Sequence, residues 1–243
     1  MIGMIFAAGM GTRLKPWTDH HPKALVSVGN KPMLIRVIEN MADAGITRIV
    51  INLHHFADQI IDCLEQYPIH DIEIIFSDER SQLLDTGGAI VKAAPLLSND
   101  TVLLHNADIL TDLDLGQLIR EHEANHCDAT LLTSTRESSR QLLFDSEDRL
   151  VGWINHKTSE VLPAGLPYPN QFKAKSFNGI HIISPHITKL ICDNAPTAAF
   201  GIIPTYISLC KEAIIKGYTP IMPYKWFDIG KPETLQRARD IFG

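Results

Sequence analysis

The first 125 residues alternate short apolar runs with helical apolar faces, and this rhythm restricts the chain to few folds. Ile2 to Ala7 is apolar throughout and runs into Gly9, as a strand buried on both faces does. Pro32 stands where a helix opens, Leu34, Ile35, Val37, Ile38 and Met41 follow at helical spacing, and Gly45 supplies the stop. Ile46 to Leu53 reads as the next strand, and Phe56, Ala57, Ile60, Ile61 and Leu64 mark the next amphipathic helix. Asp71 to Phe76 is a third strand and Thr101 to His105 a fourth, with a helix from about Gly88 to Leu97 between them. Such units build a mostly parallel sheet with right-handed crossovers, so the loops that follow the strands gather along one edge, where ligands bind.

From Ala129 the rhythm changes. Ala129–Ser134, Leu142–Phe144, Leu150–Ile154 and Phe177–Ile183 read as strands joined by turns and a proline-containing loop, Leu162 to Pro169. A helical pattern returns at Ile203 to Lys216, then a strand near Thr219–Met222 and a closing helix after Pro232. The expected fold is α/β: a Rossmann-like three-layer α/β/α sandwich with a mostly parallel central sheet and an antiparallel extension. One domain is expected over 1–243, in three parts: 1–125, 126–200 and 201–243. The length of 243 residues, 45% of them hydrophobic, supports one such core.

Charge and cysteine usage exclude several classes. The net charge is -6 and no basic stripe occurs, which argues against a nucleic-acid partner. Cys63, Cys127, Cys192 and Cys210 form no C-x-x-C pair, so neither a disulfide framework nor a zinc site is expected. No basic segment precedes the apolar Met1–Met10, which fits a first strand better than a leader, and no run reaches membrane-spanning length. A cytoplasmic protein without a membrane partner is the expectation.

The chemistry begins at Ala7-Ala8-Gly9-Met10-Gly11-Thr12-Arg13-Leu14, with Pro22-Lys23 following. Two glycines after a strand let the backbone bend and turn its N–H groups toward an anion, although a G-x-G also describes an ordinary turn. The dinucleotide fingerprint needs Gly or Ala where Leu14 stands, and a Walker A loop needs a G-K-[ST] that is absent. Two acids stand out: Asp108, in His105-Asn106-Ala107-Asp108 after the fourth strand, and Asp228, in Trp226-Phe227-Asp228-Ile229-Gly230 before the last helix. Taken alone, either serves equally well as a turn or helix cap. The pairs His20-His21 and His54-His55 fall in loops and lack a third ligand for a metal.

The A-A-G-x-G-x-R loop with P-K ten residues beyond the Arg, N-x-D after a core strand and W-x-D-x-G near the C-terminus resemble the sugar-1-phosphate nucleotidyltransferase family. The resemblance spans essentially the whole chain and implies the nucleotide-diphospho-sugar transferase fold. It implies that Ala8, Gly9, Gly11 and Thr12 cradle an NTP, that Arg13 holds the leaving pyrophosphate and that Lys23 sits by the reacting phosphates. It further implies that Asp108 and Asp228 bind Mg²⁺, with Asn106 beside the nucleotide or the metal's water shell. Leu84-Asp85-Thr86-Gly87-Gly88 resembles the family's base-reading segment, placing Gly88 near the nucleotide. Phe177-Asn178-Gly179-Ile180 resembles an F-x-G-I segment of the sugar pocket, making Asn178 and Gly179 candidates. Where many relatives carry E-K-P, this chain has Gly152-Trp153-Ile154-Asn155-His156-Lys157, so Gly152 with Lys157 or Arg140 stands in for the sugar-phosphate site.

The substrates implied are an NTP and a sugar 1-phosphate. The resemblance lies nearest single-domain N-acetylmuramate-1-phosphate uridylyltransferases, with mannose-1-phosphate guanylyltransferases next. A choline-phosphate cytidylyltransferase and a nucleotide-sugar sensor without turnover remain as alternatives.

Overall fold

The computed structural model of the chain describes residues 1–67 and 69–243. In chain order the elements are β1 (Ile2–Phe6), β2 (Ser27–Val28), β3 (Lys31–Pro32), α1 (Met33–Asp43), β4 (Arg48–Leu53), α2 (Ala57–Gln66), β5 (Glu73–Asp78) and α3 (Asp85–Ala93). There follow β6 (Val102–Asn106), β7 (Ile109–Thr111), α4 (Leu115–Asn125), β8 (Ala129–Ser134), β9 (Arg140–Phe144), β10 (Leu150–Asn155) and β11 (Glu160–Leu162). The last are β12 (Lys173–Ile183), α5 (Pro185–Asp193), α6 (Ile202–Leu209), β13 (Ile215–Tyr218), β14 (Trp226–Asp228) and α7 (Pro232–Phe242).

The central sheet runs β5-β4-β1-β6-β12-β8-β13, and only β12 is antiparallel to its neighbours. β1 lies between β4 and β6, with Met4 opposite both Val50 and Leu104. Helices α3, α5 and α6 cover one face through Ile90, Ile187 and Tyr206, while α1, α2 and α4 cover the other through Ile38, Ile60 and Leu118. Both faces are therefore dry, which is why these strands are apolar throughout rather than alternating. Among the described residues no helix is long and apolar enough to cross a membrane.

β12 joins two sheets. Its C-terminal half pairs with β6 and β8, while Lys173–Lys175 pair with β9, which leads through β10 to β11. This is the expected antiparallel extension, with β12 starting four residues before Phe177. A third apolar cluster, including Leu14, Val26, Leu110, Phe227 and Ala238, seats α7 against the glycine loop and the small β7–β14 sheet.

The C-terminal third departs from the expectation. The helix expected over Ile203–Lys216 ends at Leu209, and the strand expected at Thr219–Met222 lies earlier, at Ile215–Tyr218. Pairing decides this: Ile215 aligns with Ala129 on β8, and the Asp128 carboxylate accepts the Ile214 N–H at 2.8 Å. The apolar look of Ile221 and Met222 misleads, since they are 99% and 69% exposed. Helix α5 carries its own start signal, Ser184-Pro185, with Ser184 Oγ accepting from Ile187 N at 3.3 Å. Helix α3 opens at Asp85 rather than Gly88 and gives way to a 3-10 turn at Ala94–Leu96, around Pro95.

His105 on β6 and His181 on β12 lie in the dry interior, each 1% exposed. Among the described residues neither ring nitrogen of His181 has a partner, and its ring packs edge-on against Phe177 and Tyr206. Burial pulls the His181 imidazole from 6.5 to about 3, and His105 to about 4. An unfolded imidazole takes up its proton near pH 6.5, so native stability is full above that pH and declines as pH falls towards these lower values. His181→Leu should raise the urea midpoint at pH 5 and reduce its drop between pH 7 and pH 5. A drop as steep as the wild type's would refute this assignment.

Candidate functional site

The loop after β1 sits at the carboxyl edge of the central sheet. Gly11 adopts φ +62°, and a Cβ there would approach Thr18 Cγ2 at 2.8 Å and Lys23 Cβ at 2.9 Å. Glycine is thus required for both conformation and space. Thr18 Oγ1 donates to the Gly11 carbonyl at 2.9 Å, and Leu14 N donates to the same oxygen at 2.9 Å. Beside Gly9 there is open space, and Gly9 lines a cavity of about 440 Å³ with Ala7, Ala8, Lys23, Asn106 and Asp108. Leu83, Asp85, Thr86 and Ala199 also line this cavity.

Asn52 holds the strand-to-loop junction from beneath, and nothing in the local sequence pattern marks it. Its Oδ1 accepts from Ala7 N at 2.7 Å and Ala8 N at 3.3 Å, while its Nδ2 donates to Glu79 Oε1 at 3.0 Å. Glu79 is 0% exposed, and its Oε2 has no partner among the described residues. Burial pushes this carboxyl above its usual range, with the Asn52 hydrogen bond opposing.

The two acids, 120 residues apart in sequence, meet through a strand pair too short to announce itself. Asp228 on β14 lies opposite Ile109 on β7, and Ile229 N donates to the Asp108 carbonyl at 3.0 Å. The Asp108 carboxylate pairs with the Lys23 ammonium. Asp228 Oδ1 accepts from Gly230 N at 2.8 Å, and its Oδ2 lies 3.8 Å from Arg13 Nη2. A Cβ on Gly230 would stand 2.6 Å from Arg13 Nη2, 2.7 Å from Lys23 Nζ and 2.8 Å from Asp228 Oδ1. Two cations and an acid from three parts of the chain therefore converge on one glycine, with the second acid bound to one of those cations.

This donor set fits Mg²⁺. Hard carboxylate oxygens suit that ion, which takes one or two carboxylates and fills its remaining positions with phosphate oxygens and water. Among the described residues no group of three or more His, Cys, Asp or Glu side chains is assembled for a metal. Held by these two aspartates alone, such an ion would leave positions open for substrate phosphates to complete.

Other expected residues take different places. Thr12 is exposed in the 3-10 turn Thr12–Leu14. Gly88 is buried, and a Cβ there would stand 2.2 Å from the Ala198 carbonyl oxygen, so packing accounts for it while Asp85 and Thr86 reach the cavity instead. Asn106 lines the cavity, and its amide packs against Gly179, where a Cβ would be 2.9 Å from Nδ2. Gly179 thus makes room for Asn106. Asn178 is 1% exposed and bonded at both amide atoms: Oδ1 accepts from Ser134 Oγ at 3.0 Å and Arg136 Nε at 3.3 Å, and Nδ2 donates to Tyr224 Oη at 2.7 Å. These bonds tie Arg136 and Tyr224 to β12. Gly152 packs under β11, where a Cβ would meet the Leu162 carbonyl oxygen at 2.5 Å. Lys157 is exposed in the turn between β10 and β11. Arg140 lines a second cavity of about 450 Å³ with Trp153, Phe177 and Ile203, and that cavity is also lined by Arg136.

A doubly covered parallel sheet, with an anion-ready loop and converging acids at its strand ends, defines a phosphate-handling α/β transferase. Residues 2–144 match the family described as nucleotidyl transferase. N-acetylmuramate alpha-1-phosphate uridylyltransferase of Caulobacter vibrioides is 30% identical over 248 residues, covering 98% of this chain and 95% of that protein. Mannose-1-phosphate guanyltransferase of Yarrowia lipolytica is also 30% identical, over 239 residues that cover 96% of this chain but 61% of the fungal protein. HddC from Yersinia pseudotuberculosis superposes over 100% of both chains with TM-score 0.78 at 25% identity. A UDP-glucose pyrophosphorylase complexed with UDP-glucose shares the fold, with TM-score 0.80 at 19% identity over 100% of this chain and 98% of that one. The chain belongs to the sugar-1-phosphate nucleotidyltransferase family.

Asn52→Leu would leave the Ala7 N–H and a Glu79 oxygen buried without partners. It should lower stability by roughly 2–4 kcal/mol, read from urea midpoints at pH 7, and weaken nucleotide binding in parallel.

Proposed function

We propose that the chain transfers a uridylyl group from UTP to N-acetylmuramate 1-phosphate, releasing pyrophosphate, with Mg²⁺ held by Asp108 and Asp228. The carrying observation is the convergence of Arg13, Lys23 and Asp228 on Gly230, with Asp108 joined through Lys23. The choice of substrates follows the Caulobacter relative, which aligns with nearly the full length of both proteins. Guanylyl transfer to mannose 1-phosphate is the second reading, favoured by fungal relatives of equal identity. Two arginines in the second cavity, Arg136 and Arg140, disfavour a quaternary ammonium acceptor such as choline phosphate.

The chemistry is in-line displacement at the α-phosphorus. An acceptor phosphate oxygen forms the new P–O bond, the α–β bridging bond breaks, and its electron pair leaves with pyrophosphate. A phosphate monoester is already anionic near pH 7, so no general base is needed. Arg13 and the amides around Gly9 and Gly11 stabilise the departing pyrophosphate. Lys23, held against Asp108, keeps a positive charge beside the reacting phosphates. Bound Mg²⁺ would supply further charge neutralisation between donor and acceptor phosphates. Asn106 sits where an amide can orient the nucleotide.

The decisive assay incubates each of four NTPs with a panel of sugar 1-phosphates and Mg²⁺, following pyrophosphate release. UTP with N-acetylmuramate 1-phosphate should give the highest kcat/KM, and Asp108→Asn should reduce it by about 10²-fold or more without lowering the Tm. Near-normal turnover in Asp108→Asn would remove the metal assignment. Pyrophosphate release with no pair would remove the proposed reaction.

A further inference from the structure

One cation beside the proposed metal site has no role in the mechanism so far. Arg136 follows β8, is exposed, and among the described residues makes no ion pair. Its guanidinium carbon lies 4.4 Å from the centroid of the Trp226 ring, its Nη2 donates to the Phe177 carbonyl at 3.0 Å and its Nε to Asn178 Oδ1 at 3.3 Å. Trp226 is itself fixed, because its Nε1 donates to the Asn178 carbonyl at 2.9 Å. The plane and direction of the guanidinium are therefore set before any ligand arrives, and Nη1 has no protein partner among the described residues.

We propose that Arg136 anchors the phosphate of the sugar 1-phosphate acceptor, a role for which neither Lys157 nor Arg140 is as well placed. This rests on the nucleotidyl-transfer reading of the site. Arg136 stands at the join of two regions: it stacks on Trp226, two residues before Asp228 on β14, and it lines the second cavity. An acceptor whose sugar fills that cavity, beside Trp153 and Phe177, would extend its phosphate past Arg136 towards the Asp228 carboxylate. Arg13 already faces Asp228, and Lys23 already pairs with Asp108. Arg136, unpaired among the described residues and next to the Asp228 strand, is thus available to hold the incoming group apart from the leaving one. Partial burial draws its pKa below the usual value, with Asp228 partly offsetting this, while its exposed edge is open to an incoming phosphate. The free edge of a guanidinium can grip two phosphate oxygens, and the flat stack on Trp226 has no lysine equivalent.

The test compares wild type, Arg136→Gln and Arg136→Lys. For the best NTP and sugar 1-phosphate pair, Arg136→Gln should raise the acceptor KM on the order of 10- to 100-fold, with Arg136→Lys between it and wild type. The Kd for Mg·NTP, measured by titration calorimetry without acceptor, should stay within about twofold. A purely bracing role for Arg136 would instead lower the Tm and weaken NTP and acceptor binding together, and that result overturns the proposal. So does an unchanged acceptor KM in Arg136→Gln. Direct binding keeps this separate from the reaction itself: glucose 1-phosphate should change the tryptophan fluorescence of wild type saturably, and much less in Arg136→Gln. If no pair is turned over but this response is present and lost in Arg136→Gln, the transfer reading fails while the phosphate anchor stands. If sugar 1-phosphates bind equally to both proteins, the anchor fails whatever the turnover.

Discussion

The site depends on one backbone pairing, that of β14 with β7. Without the register that sets Asp228 opposite Ile109 and ties Ile229 N to the Asp108 carbonyl, the two acids would have no reason to meet. Two strands of three residues each cannot hold such a pairing alone. It persists because Leu110, Phe227 and Ile229 are buried with Leu14, Val26 and Ala238, so the cluster that seats α7 also fixes where the two acids stand. The same cluster contains Leu14, next to Arg13. Hydrophobic packing thus sets the position of the acids and of the guanidinium facing them.

A second arrangement governs the loop after β1. The chain must turn sharply after β1 without leaving its buried N–H groups unpaired. Asn52 on the neighbouring strand accepts two of them, and buried Glu79 orients Asn52 in turn. Polar side chains placed this deep are expensive unless satisfied, and here they make the exit of β1 rigid. β12 repeats the principle with Asn178, whose amide bonds Ser134, Arg136 and Tyr224. In both places a buried amide fixes the groups it bonds.

Much of this was legible in the chain. β1, β4, β6, α1 and the glycine loop fall close to where apolar periodicity and Gly9 and Gly11 place them, because strands buried on both faces leave an unbroken apolar signal. Arg13, Lys23, Asp108 and Asp228 were marked by motif spacing and do converge. The misplaced strand has a physical cause. Ile215–Tyr218 and Thr219–Met222 have similar local character, and only the partner strand β8 selects the first. At Gly88 no local pattern announces that the Ala198 carbonyl occupies the space a side chain would need. Arg140 and Lys157 lay near the expected motif, yet Arg136 is the one brought beside Trp226.

By itself, then, the sequence determined the layered α/β framework, the bend after the first strand and the four charged residues suited to phosphate chemistry, since each is written in neighbouring residues. Tertiary structure alone decided which charge meets which. Lys23 reaches Asp108 across 85 residues, and Arg136 reaches Asn178 across 42. Local propensity carries no information over such separations. Strand order and the packing of α7 supply it, and they exist only once the chain has closed on itself.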